Sequence, residues 1–236
     1  MWTKQLTLVA ICCCLALLAA CSTGEQEQKS QKADIATTPA TAEENPLRVA
    51  VCIWDDISVR EEPSGSSKWL TALSLGEEIN AYRILATDSA KDREYIKIQL
   101  KDGTEGWSVA SFIVPDSRPA VIISESSLYR RPDVLTKTDE NFAMTDVVAV
   151  LQVQGDWVEV RGQRSGDNWL DQGWVKSSNL SYEKVDLAVA KFAKDALTKT
   201  SPQEQANALK TLLDNKDFSS SVLMEPMRAH YASLLN

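Results

Sequence analysis

The side chains able to do chemistry are few in this 236-residue chain, and their spacing limits what they can do. The only histidine, His230, sits near the C-terminus beside Tyr231. Five cysteines occur: Cys12, Cys13 and Cys14 within an opening apolar run, Cys21 at its end, and Cys52. A Cys/His nucleophile needs a thiolate beside its base. Cys52 lies in the apolar run Leu47 to Trp54, where a buried strand cysteine acts as a small hydrophobe. An intermolecular disulfide or a reactive thiol is the sharper alternative. His230 reads as a solvated helix residue, so no catalytic pair is assigned. The adjacent acids Asp55-Asp56, Glu61-Glu62, Glu77-Glu78 and Asp139-Glu140 point to opposite faces of a strand, which does not make an acid/base pair. No His/Cys cluster, calcium-spaced loop or phosphate-cradling glycine motif occurs, so neither metal nor cofactor is expected.

Aromatic side chains are the remaining candidates. Trp107, Trp157 and Trp174 occupy strand positions and are expected to fill cores. Trp169 differs, because Gly166-Asp167-Asn168-Trp169 is a polar turn. It either caps a ligand groove or covers the open end of the core beneath it. Trp54 and Tyr129 are weaker ligand-binding candidates.

The elements that must position these residues follow from the texture of the chain. Lys4 precedes an apolar stretch from Leu6 to Leu18, then Ala19, Ala20 and Cys21. The stretch is shorter than the roughly 20 residues a spanning helix needs, so residues 1–20 read as a removable signal segment. Residues 22–46 are polar, with almost no large apolar side chains, and read as a disordered tether. From Leu47 short apolar runs alternate with turns, as in Tyr95-Ile96-Lys97-Ile98 before Asp102-Gly103. That pattern predicts small antiparallel sheets.

The layout then repeats. Val59-Arg60-x-x-Pro63 corresponds to Leu128-Tyr129-x-x-Pro132, Tyr95 to Ile98 corresponds to Trp157 to Val160, and Gly106-Trp107 corresponds to Gly173-Trp174. The markers recur at offsets of about 62–69 residues. Arg161 to Asp171 is an insertion in the second copy. Residues 183–236 change to helical spacing, with a helix start at Ser201-Pro202-Gln203-Glu204. Formal charge is −8 with no basic patch, so nucleic acid is not expected as a partner. Nor does net charge support attraction to anionic headgroups or anionic wall polymers.

Leu18-Ala19-Ala20-Cys21 resembles the lipobox of bacterial lipoproteins. The resemblance implies cleavage before Cys21, diacylglycerol on its sulfur, and anchoring to a membrane of the cell envelope. Ser22 rather than Asp follows, which implies the outer membrane where the cell has one. A secretory signal cut elsewhere, or a plain N-terminal anchor, is the alternative. The ordered set of a strand, a Leu/Val-x-x-x-Pro turn, a Trp/Tyr-x-x-Val strand and Gly-Trp-x-x-x-Ser-x-Leu is similar to bacterial SH3 domains. That resemblance implies a mainly β chain of two tandem small SH3-like β-barrels, residues 47–115 and 116–182, followed by a short α-helical segment, residues 183–236. It also implies a non-catalytic protein that binds cell-wall peptide or a periplasmic protein. The alternative is a structural or assembly subunit that docks through its C-terminal helices.

Overall fold

Residues 47–166 and 169–235 are described by the computed structural model. Residues 1–46 lie outside them, so the signal segment, Cys21 and the tether have no structural counterpart here.

The first sheet comprises β1 (Arg48–Cys52), β2 (Ile57–Arg60), β3 (Trp69–Leu73), β4 (Glu78–Asp88), β5 (Arg93–Gln99), β6 (Glu105–Val109) and β7 (Ile113–Pro115). Its order is β3-β2-β6-β5-β4-β1-β7, with every pair antiparallel. The second comprises β8 (Arg118–Ile122), β9 (Ser126–Tyr129), β10 (Lys137–Phe142), β11 (Val147–Gln154), β12 (Trp157–Gln163), β13 (Leu170–Lys176) and β14 (Leu180–Ser181). Its order, β10-β9-β13-β12-β11-β8-β14, repeats the first strand for strand. The turns repeat as well. Cys52 N donates to Glu77 O at 3.0 Å and Gly76 N to Cys52 O at 2.7 Å; Ile122 N donates to Asp146 O at 2.9 Å and Thr145 N to Ile122 O at 2.8 Å.

Each sheet curls around its own core. Ala50, Val59, Leu73, Ile79, Ile98 and Ile113, drawn from six strands, meet in one cluster, as strands of a flat sheet could not. Ala120, Leu128, Phe142, Val148, Val160 and Leu180 do the same in the second. The expected fold class, two small SH3-like β units followed by helices, is what the chain adopts.

The two units are not separate beads. Val51 and Ile53 turn away from the first core and pack on Ala149, Leu151 and Leu170 of the second sheet. β1 is therefore apolar on both faces, which is why its sequence is a nearly continuous apolar run rather than an alternating one. Arg161 Nη2 also donates to Ser111 O at 3.3 Å across this junction.

Three helices follow, α1 (Lys184–Leu197), α2 (Pro202–Asp214) and α3 (Met224–Leu234). Ser201 Oγ accepts from Glu204 N at 3.1 Å, so the predicted helix start is a side-chain cap. Val189, Ala193, Leu209, Leu212 and Met227 form a cluster that also takes in Val121, Val147 and Leu75, the last from the first sheet. Asp186 is buried in α1 and accepts from Ser181 Oγ at 2.5 Å, Ser221 Oγ at 2.6 Å and Val222 N at 3.0 Å. It ties the end of β14 and the entry to α3 to the first turn of α1. Among the described residues no helix is long and apolar enough to cross a membrane.

Candidate functional site

Strand alternation decides which aromatic residues can meet a ligand. In β12, Val158 and Val160 enter the core, so Trp157 and Glu159 point outward. In β13, Val175 enters the core and Trp174 and Lys176 face out. The expectation that Trp107, Trp157 and Trp174 fill the cores is therefore corrected for Trp107 and Trp157, which are half-buried outside the core clusters. Trp174 is buried, though on the face opposite Val175. The inward partner of each Gly-Trp pair is the glycine. A Cβ on Gly173 would lie 2.8 Å from both Leu128 Cδ1 and Tyr129 O, and one on Gly106 would lie 2.6 Å from Val59 Cγ1. The strands cross too closely for any side chain there, and the tryptophan is left on the outer face.

On the second unit this outer face carries a connected aromatic group. Tyr129 meets Trp157 edge-on with centroids 4.8 Å apart, and Tyr129 pairs with Trp174 across the strands. Lys176 Nζ stands 3.6 Å from the Trp157 centroid, a cation–π contact. The hairpin loop that extends from Tyr129 ends in a one-turn helix at Val134–Thr136, capped by Asp133, which accepts from Leu135 N at 3.0 Å. That cap holds Val134 61% and Leu135 89% exposed at the loop tip. Large apolar side chains held so far into solvent mark a surface suited to contact.

The first unit handles the same place differently. Tyr95, the counterpart of Trp157, is 2% exposed. Its hydroxyl lies beside Gly65 of the loop after β2, and that loop is fastened by Ser64 Oγ and Gly65 N donating to Asp88 Oδ2 at 3.2 and 3.3 Å. The Gly65 amide, chief among these donors, holds the Asp88 carboxyl below the usual carboxylate range. Arg60, the counterpart of Tyr129, donates from Nη1 to Ser67 O at 2.6 Å in the same loop. Beside them Lys97 pairs with Glu105 at 2.7 Å, and Tyr82 donates to Glu105.

The three sequence candidates are not gathered into one site: no ring contact joins any two of them among the described residues. Tyr129 is at the centre of the aromatic group. Trp54 meets Phe112 in a tilted contact, centroids 5.1 Å apart, and packs against the first core. Trp169 is 75% exposed, so it does not cover the core of its own unit. The insertion that carries it lengthens a hairpin, since Gly162 pairs with Asp171 and Gln163 with Leu170. Leu170 packs at the junction with the first unit, and Ser165 Oγ donates to Asp146 Oδ1 at 2.5 Å. Trp157 and Lys176, which adjoin Tyr129, were not among the sequence candidates. The signal for Trp157 was present in its alternation with Val158 and Val160.

Cys52 has no exposed surface, and its Sγ donates to Trp54 O at 3.1 Å. Burial pushes its thiol up to about 12, so it is neither a thiolate at neutral pH nor within reach of another chain. His230 is half-buried, and its Nε2 is enclosed without a hydrogen-bond partner among the described residues, which corrects the solvated reading. No group of three His, Cys, Asp or Glu side chains among the described residues is placed to hold a metal ion.

No protein-family model matches the chain, and no curated protein matches it. Among solved structures it is similar to NlpC2 from Trichomonas vaginalis, at 12% identity over 70% of this chain and 56% of that one, with a TM-score of 0.24. It is similar to NlpC1 from the same organism at 10% identity over 70% of this chain and 53% of that one, with a TM-score of 0.25. The chain thus spans little more than half the length of these structures, and scores so low assign it no function.

Proposed function

We propose that the chain is a lipid-anchored, non-catalytic protein of the cell envelope whose second β unit binds cell-wall peptide or a periplasmic protein. The observation that carries this reading is the half-buried, outward-facing group of Tyr129, Trp157 and Lys176, with Val134 and Leu135 held in solvent at the adjoining loop tip. Flat aromatic faces backed by a rigid sheet bind peptide backbones and apolar side chains without a large ordering cost. The anchor would be the lipid on Cys21, and replacing Cys21 by Ser is expected to release the protein from membranes.

Co-sedimentation of the full chain, in mild detergent, with purified wall sacculi tests the recognition step. Saturable binding that weakens about tenfold in Trp157→Ala, and is unchanged in Trp54→Ala, is expected. Absence of binding by the folded chain would remove wall peptide as the ligand and leave a periplasmic protein.

Docking through the helices is the second reading. Phe192 favours it, being 59% exposed and in tilted contact with Phe218 at 5.4 Å between centroids. Against it, the main apolar faces of all three helices are already buried within the chain.

A further inference from the structure

Two adjoining cavities of about 240 and 300 Å³ run between α1 and the first β unit, with Gln163 and Pro119 of the second unit at their margins, and Leu75 and Lys191 line both. Their walls have opposite character. α1 supplies Lys184, Lys191 and Lys194, and its acid on this side, Asp195, is already paired with Lys199 at 3.0 Å. The first unit supplies Asp55, Glu77 and Glu78, with Lys101 as its single cation.

Opposite charges that share a cleft can close into ion pairs, each contributing little where solvent reaches them. Here none of the three lysines makes one among the described residues. Two of the acids instead have local duties: Asp55 Oδ1 accepts from Leu75 N at 3.0 Å and Glu77 Oε2 from Ser74 N at 2.9 Å. The walls cannot simply collapse together, because Leu75 is buried in the helix cluster and Gly76 already sits against Val147 and Leu187. The groove is thus a fixed gap with an ammonium-lined side and a carboxylate-lined side.

We propose that this groove binds a short peptide carrying both a free amine and a free carboxylate, the carboxylate on Lys191 and Lys194 and the amine toward Asp55 and Glu78. This deepens, and rests on, the wall-peptide reading, since it names a second subsite and the chemistry that subsite selects.

The test is calorimetric titration of the full chain, in detergent, with zwitterionic alanyl-alanine and with its N-acetylated, C-amidated form. Saturable binding of the zwitterion only, weakened at least about tenfold by Lys191→Gln/Lys194→Gln and also by Glu78→Gln, is the expected result. Equal binding of the capped peptide, or no binding at about 10 mM, overturns the proposal. If the opposed walls serve only to hold α1, the lysine variants will lower the melting temperature and the zwitterion will give no heat. Sacculus binding without dipeptide binding would defeat this subsite alone. Dipeptide binding without sacculus binding would defeat the wall reading and keep a site for small zwitterions.

Discussion

The two β units have one strand order and one set of turn hydrogen bonds, yet they meet solvent in opposite ways. The first draws a loop down over Tyr95 and ties it to Asp88. The second leaves Trp157 half-covered and holds Leu135 in solvent. The scaffold is repeated, and the two copies differ where a scaffold can be altered without cost to its core: in the loop after the second strand and in the length of one hairpin. The first copy also became a packing partner. Its β1 carries apolar residues on both faces, and its Leu75 is inserted among the helices. One unit holds the assembly together and the other presents a surface.

Substitutions can break this comparison. The largest effect is expected from Leu75→Ala, which empties a position in the helix cluster and should cost about 3 kcal/mol in a denaturant titration. Its counterpart Met144 lies only beside that cluster, and Met144→Ala should cost about half as much. Equal losses would mean that the first unit has no special part in holding the helices.

Gly106→Ala and Gly173→Ala test what the copies share. Each Cβ would meet backbone oxygen, Arg60 O at 2.9 Å and Tyr129 O at 2.8 Å, so both variants should lose a similar amount, about 2 kcal/mol. A smaller effect separates Gly76 from Thr145, which occupy the same turn at φ of +72° and +79°. Thr145 shows that the turn itself accepts a side chain. At Gly76 a Cβ would lie 2.9 Å from Val147 Cγ1 of the neighbouring unit. Gly76→Ala should therefore cost about 1–2 kcal/mol, whereas Thr145→Gly should be close to neutral as relieved strain offsets lost burial.

The smallest effect is acid loosening of the closed loop. Asp88 has its folded-state pKa depressed, so its contribution is present above the unfolded value of about 3.9 and is lost as pH falls through the lower folded value. Amide exchange at Gly65, which donates to Asp88, should quicken in that window.

Much of the scaffold was legible because it is written locally. The two-copy layout follows from period-two runs and Gly-Trp markers, and the cap at Ser201 from four adjacent residues. What was not legible depends on residues far apart in the chain. Arg161 to Asp171 lacks apolar alternation and read as a loop, yet its ends, residues 161–163 and 170–171, belong to paired strands, with Arg161 and Leu170 finding partners at Ser111 and the first unit. Asp186 looked like an ordinary acid in a first helical turn; two of its donors lie some 35 residues onward. Trp107 and Trp157 were misread because size was weighed above strand parity. The candidate surface followed the same division: the sequence reading named Tyr129 and did not name Trp157 or Lys176 beside it.

The position of β1 bears on how the protein carries load. A pull on the chain ahead of Leu47 arrives at a strand bonded along one edge to β4 and along the other to β7, with apolar packing above and below. Tension along that strand is shared by both ladders at once, so they must shear together rather than unzip one bond at a time. The unit next to the proposed anchor is thus also the one built to resist being drawn out.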